Sequence, residues 1–108
     1  MANTYKILGQ AVPNTSSDLI TVGSAKSQVV STLIVTNTTS SASTYRVHAR
    51  IAGAATATSN AIIYDATCLG NTTITLTLGI TLAATDVLTV ISGTGSALTF
   101  TAFGSEIS

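Results

Sequence analysis

Arg46, His48 and Arg50 occupy alternate positions of the segment STYRVHAR, residues 43–50. On a β-strand this spacing places all three on one face, with roughly 7 Å between successive members. Two guanidinium groups flanking an imidazole make a small cationic strip. Such a strip suits docking of a carboxylate or phosphate, or ion pairing with a neighbouring subunit. The alternative is an outer face that simply meets water. For His48 to act in catalysis, a carboxylate or nucleophile must orient it, and the adjoining sequence supplies neither.

His48 is the only histidine and Cys68 the only cysteine, so one copy of the chain cannot gather four nitrogen or sulfur ligands for zinc. Asp18, Asp65, Asp86 and Glu106 are isolated from one another in sequence, unlike the clustered oxygen donors of calcium sites. No metal and no cofactor is expected. Cys68 reads as a small buried thiol, because nothing beside it would stabilise a thiolate. Gly93 and Gly95 in SGTGSA precede neither a helical pattern nor a lysine, which favours a hairpin turn over a phosphate cradle. Asn14, Asn37 and Asn71 each begin an Asn-x-Ser/Thr sequon, a pattern that a threonine-rich chain produces by chance. The aromatic residues Tyr5, Tyr45, Tyr64, Phe100 and Phe103 are too sparse for a sugar platform and fit core or interface packing. The parts for an enzyme are missing.

The elements that carry these residues repeat with a period of two. Eight segments read as strands: Tyr5–Gly9, Leu19–Val22, Gln28–Asn37, Thr44–Ile51, Ala61–Asp65, Thr73–Leu82, Val87–Ser92 and Ala97–Phe103. Gln28–Asn37 is apolar on both parities, the pattern of a central strand covered on both faces. In Thr44–Ile51, Tyr45, Val47, Ala49 and Ile51 should point inward and the three basic residues outward. ITLTLGITL (74–82) should be one inward-facing stripe, ended by a corner at AAT where the Asp86 carboxylate can bond free backbone N–H groups. The loop AGAATATSN (52–60) is a candidate for display. About seven or eight strands at near-regular spacing, with small-residue turns between them, specify an all-β fold: an antiparallel β-sandwich or jelly-roll-like domain. Residues 1–108 are expected to form one such domain, with an extended N-terminal segment over about residues 1–13.

Composition narrows the partners. Of the 108 residues, 7% are charged, against about a quarter in an average domain, and the formal net charge is zero. Serine and threonine supply nearly a third of the chain and most of its solubility. Four scattered basic residues give no footprint for nucleic acid, and no apolar run is long enough to cross a membrane. A chain with so little charge has little protection against association, which suits life inside an assembly.

Four stretches together carry a family likeness: MANTYKILGQ at the start, QVVSTLIVTN with STYRVHARIAGA in the middle, TLTLGITLAATDVLTV, and FTAFGSEIS at the end. The chain resembles small virion structural proteins of tailed bacteriophages, cyanophages included, over nearly its whole length. It departs from that pattern at Asn60–Tyr64, where a more aromatic strand is expected, and at Cys68. The resemblance implies a non-enzymatic component of the phage particle, assembled in the host cytoplasm. An accessory capsid decoration or cement protein is the leading placement. A tail, neck or baseplate component, and then a receptor-binding module, are the alternatives. The implied partners are other copies, as a dimer or trimer, and virion proteins such as the major capsid protein. The residues expected at interfaces are Arg46, His48, Arg50, Tyr5 and Phe103. The terminal segments Met1–Gln10 and Ala102–Ser108 are expected to pair with a neighbour's sheet edge.

Overall fold

Leu98, Phe100 and Ala102 are sealed from solvent, while Thr99, Thr101 and Phe103, which alternate with them, are only half covered. The same alternation runs through most strands, and it sorts the chain into two sheets with a common interior. The computed structural model describes residues 3–108. Its strands are β1 (Asn3–Ala11), β2 (Ser16–Thr21), β3 (Ser27–Asn37), β4 (Ser43–Arg50), β5 (Ala61–Cys68), β6 (Thr73–Leu76), β7 (Ile80–Leu82), β8 (Val87–Ser92) and β9 (Leu98–Ile107). Sheet A runs β1-β9-β3-β6, with β7 also pairing β3, and sheet B runs β2-β8-β4-β5. All pairings are antiparallel. The fold is an all-β sandwich.

Between the sheets, β3 and β9 contribute Val30, Leu33, Val35, Leu98 and Phe100, and sheet B contributes Ile20, Tyr45, Val47, Leu88 and Val90. The Tyr45 and Phe100 rings meet edge to face, 6.1 Å between centroids at 66°. Backbones also approach closely. A Cβ on Gly104 would lie 1.9 Å from the Val29 carbonyl oxygen, and one on Gly9 would lie 2.1 Å from that of Leu19. Only glycine fits at either place.

Several expectations are corrected by the packing. Thr73–Leu82 is two strands, not one. Leu76 pairs with Leu33 and Ile80 with Val30, so Thr77–Gly79 bridge a gap that β3 spans with Ser31 and Thr32 alone. The surplus residue bulges out, Gly79 takes φ +60°, and Leu78 is 42% exposed rather than inward. β3 is central in its sheet but sealed on one face only; the strand covered on both faces is β8. Ala61–Asp65 continues to Cys68 past a bulge. Ile51 is 78% exposed, because β4 ends at Arg50 and Ala52 turns the chain with φ +51°.

The AAT corner forms as the sequence implies. Asp86 Oδ2 accepts the Ala83 N–H at 2.9 Å, and its Oδ1 accepts the Ala52 N–H at 2.9 Å. The two terminal segments expected to reach a neighbour pair with each other within the chain, from Asn3↔Ile107 to Ala11↔Phe100, which occupies both edges of β9 and leaves the outer edge of β1 open. Met1 and Ala2 of the expected N-terminal segment lie outside the described residues.

Candidate functional site: two outer faces

β4 pairs with β8 in unbroken register from Tyr45↔Ser92 to Arg50↔Val87. Alternation therefore puts Arg46, His48 and Arg50 on the outer face of sheet B, beside Ile91, Thr89 and Val87. The shared face is the expected one; the exposure is not. Residues 51–60, in two short 3-10 turns, fold back over that face as a strap. Gly53 lies against Val87 and Asn60 against His48, while Arg50 and Asp18 close over Thr89; Val87, Thr89 and His48 are 7%, 2% and 2% exposed.

Arg50 ties the strap down. Its Nε donates to the Ala54 carbonyl at 2.6 Å and its Nη2 to the Gly53 carbonyl at 3.1 Å. Its Nη1 reaches Thr89 Oγ1 at 3.0 Å and Asp18 Oδ1 at 3.1 Å. Asn60 fastens the other end. Its Nδ2 donates to the Ala55 carbonyl and its Oδ1 accepts the Ala57 N–H, which fixes the amide orientation. His48 Nδ1, 2.8 Å from that Oδ1, must then be the donor, and His48 Nε2 is left buried without a partner. The expected outward, solvent-facing His48 is thus corrected to a strap anchor. The loop AGAATATSN is held down rather than displayed freely.

Arg46 alone of the three stays open. Opposite it, β5 carries one residue too many: Tyr45 pairs with Ala66 and Val47 with Ile63, leaving Tyr64 and Asp65 against Arg46. Asp65 absorbs the excess with φ +52°, a left-handed conformation that Asp tolerates better than most residues. The bulge turns its carboxylate onto the guanidinium, Nε to Oδ1 at 2.7 Å and Nη2 to Oδ2 at 3.1 Å. The Tyr64 ring lies 4.0 Å from the Arg46 guanidinium carbon. Beside the pair is a shallow pocket of about 140 Å³, lined by Thr44, Tyr45, Arg46, Asp65, Ile91 and Gly93.

Tyr5 and Phe103 sit on the opposite side of the molecule, so the five expected interface residues fall on two faces rather than one. β9 keeps regular alternation, and its outward positions Phe103, Ser105 and Ile107 pair with Ile7, Tyr5 and Asn3 of β1 and with Thr32, Val29 and Ser27 of β3. Tyr5 is 83% and Ile7 55% exposed, while Phe103, Val29 and Ile107 are half-buried. Farther along, the outward positions are Thr99, Thr101, Ile34, Thr36, Thr73 and Thr75. No charged residue occupies an outward position on the strands of sheet A.

The charges lie elsewhere, largely paired. Glu106 bonds Gln28 Nε2 at 2.8 Å and Lys6 Nζ at 3.2 Å, with Lys26 Nζ at 3.6 Å. These donors hold its carboxyl below the usual value, the Gln28 hydrogen bond foremost; the fork from Arg46 does the same for Asp65. A depressed folded-state pKa stabilises the fold above the unfolded values, 4.5 for Glu106 and 3.8 for Asp65, and that stabilisation fades as pH falls through the lower folded values. The urea midpoint should therefore fall between pH 6 and pH 3. The fall should be smaller in Glu106→Gln, and added salt should weaken the Asp65 share, which is exposed.

Two groups singled out in sequence lie inside. Cys68 is fully buried and its thiol pKa is raised by desolvation, so it is poorly placed to react. Asn37 is 1% exposed, which closes its sequon to modification. Among the described residues, no group of three His, Cys, Asp or Glu side chains is arranged to hold a metal ion. Comparison with protein-family models, with curated proteins and with solved structures finds no match.

Proposed function

We propose that this chain is a non-enzymatic structural subunit that works by contact area, and that it joins a second copy of itself through the outer face of sheet A. One observation carries the reading. That face has no charged residue, yet it presents Tyr5 at 83% and Ile7 at 55% exposure beside Phe103. Apolar side chains left open on a strand pair gain by leaving water. A partner rich in charge would find nothing on this face to pair with, whereas a second copy brings the same neutral, hydroxyl-coated surface. Closed symmetric association of identical faces is the common outcome for such modules, and a specific contact of this kind buries roughly 800 Å² per partner. The free edge of β1 adjoins the same face and adds backbone donors and acceptors.

The biological setting follows from the sequence likeness: an accessory virion protein of a tailed phage, used to decorate or cement the capsid. Many weak contacts repeated over a lattice hold such a subunit through effective concentration.

Sedimentation velocity tests the self-association. The chain should sediment as a dimer at about 100 µM, where contacts of micromolar strength are populated. The double variant Tyr5→Asp, Ile7→Asp should sediment as a folded monomer. A strictly monomeric parent chain at that concentration defeats the reading, as does an oligomer indifferent to both substitutions. A density map of the intact particle then decides between shell and tail.

A further inference from the structure

We propose that the pocket on the outer face of sheet B is a binding site for a neutral hydroxylated ring, a single sugar residue, held by Arg46 and Asp65. The site lies on the face opposite the proposed self-contact and does not depend on it.

Asp65 engages each carboxylate oxygen once with Arg46, and each oxygen can accept again. Arg46 uses two of its five N–H groups on Asp65, leaving donors beside those acceptors. A charged donor and a charged acceptor side by side match two neighbouring hydroxyls of one ring: the first donates to Asp65, and the second accepts from Arg46. Both bonds are charge-assisted.

Charge selects the class of ligand. The guanidinium and carboxylate neutralise each other at 2.7 Å, and no other charged residue lines the pocket. An anion or a cation therefore meets no net opposite charge and would still lose hydration on entering. A neutral polyol loses less and keeps its hydrogen bonds.

Shape and rigidity agree with this. The Asp65 fork and the Tyr64 ring hold the guanidinium plane from two directions, so little side-chain freedom remains to be lost on binding. Ile91, which pairs with Arg46 across β4 and β8, offers an apolar wall to the C–H face of a ring. At Gly93 a Cβ would lie 2.4 Å from Thr44 Oγ1, so the absent side chain keeps that wall low and the Thr44 hydroxyl within the pocket. At about 140 Å³ the pocket is small and open on one side, so a single ring seated there stays partly in water, which limits affinity to the millimolar range.

Amide NMR titration of the full chain tests the proposal. The probes are the methyl α-glycosides of glucose, galactose and mannose, each taken to about 50 mM so that millimolar binding approaches saturation. Sodium acetate serves as the anionic comparison. At least one glycoside should move the Thr44, Arg46, Asp65 and Gly93 amides along a saturating curve. In Arg46→Lys, which keeps the charge but loses the fork, the same glycoside should bind at least about tenfold more weakly, with the spectrum otherwise intact. Asp65→Asn should weaken binding likewise. Three glycosides that leave the pocket amides unmoved overturn the proposal. So does acetate binding as tightly as the best glycoside, or glycoside shifts that persist unchanged in Arg46→Lys.

Discussion

Phe100→Ala is expected to lower the free energy of unfolding by about 3–5 kcal/mol. Phe100 is fully buried, at the centre of the interior that β3, β9 and sheet B close around, and its ring meets Tyr45 edge to face. Truncation removes the transfer free energy of the ring and leaves a void. Stiff β-branched neighbours such as Val35, Val47 and Val90 cannot swing in to fill it. Phe100→Leu keeps most of the volume and should cost less than about 1.5 kcal/mol. Urea denaturation measures both, as a shift of midpoint at constant slope. If alanine cost under about 1 kcal/mol, the two sheets would be far more loosely packed around this ring than their burial implies.

The second large effect is at a polar residue. Asn37→Ala should cost about 2–4 kcal/mol, close to a core truncation although no apolar group is removed. Both ends of the buried amide are occupied. Nδ2 donates to the Ser41 carbonyl at 2.8 Å and the Cys68 carbonyl at 3.1 Å, while Oδ1 accepts the Thr39 N–H at 2.9 Å and hydroxyl at 2.8 Å. This one side chain joins the end of β3 to the turn 38–42 and to the end of β5 in the other sheet. Alanine strands the Cys68 carbonyl where water does not reach, and that loss dominates the cost. Asn37→Asp keeps the acceptor, loses both donors and adds a charge, so it should be no better tolerated. An alanine variant within about 0.5 kcal/mol of the parent would show that water replaces the amide.

How much of this could be read from the sequence depends on the range of each interaction. Alternation is local, and it places Arg46, His48 and Arg50 on one face of β4 with Tyr45, Val47 and Ala49 on the other, but it fails at Ile51 and Leu78, where the strands end and the side chains are exposed. Asp86 was legible for the same reason: its partner Ala83 is three residues away. The strap was not. Ala and Thr in AGAATATSN carry no strong turn or hydrophobic signal, and what fastens it, Asp18 and Thr89 through Arg50, comes from distant strands. The break at Thr77–Gly79 was masked because ITLTLGITL keeps its period across Gly79; only the register against β3 reveals the surplus residue. The Arg46 site was half legible. Its arginine stood out, but the carboxylate is aimed by a bulge that exists only once β4 and β5 are paired. Tyr5 and Phe103 are only two sparse aromatics in the sequence; that they share one uncharged face follows from β1 pairing with β9.

That last pairing has a temporal side. β1 finds its partner in β9, and β3 finds its partners in β6, β7 and β9, all nearer the C-terminus than itself. During synthesis β1 therefore leaves the ribosome long before its ladder partner exists, and sheet A is completed only when about residue 107 has emerged. Closing so long a loop is slow, and an unpaired strand bearing Tyr5 and Ile7 is exposed to other nascent chains in the meantime. Yield in cells should accordingly depend on translation speed and temperature more than on the stability of the finished fold.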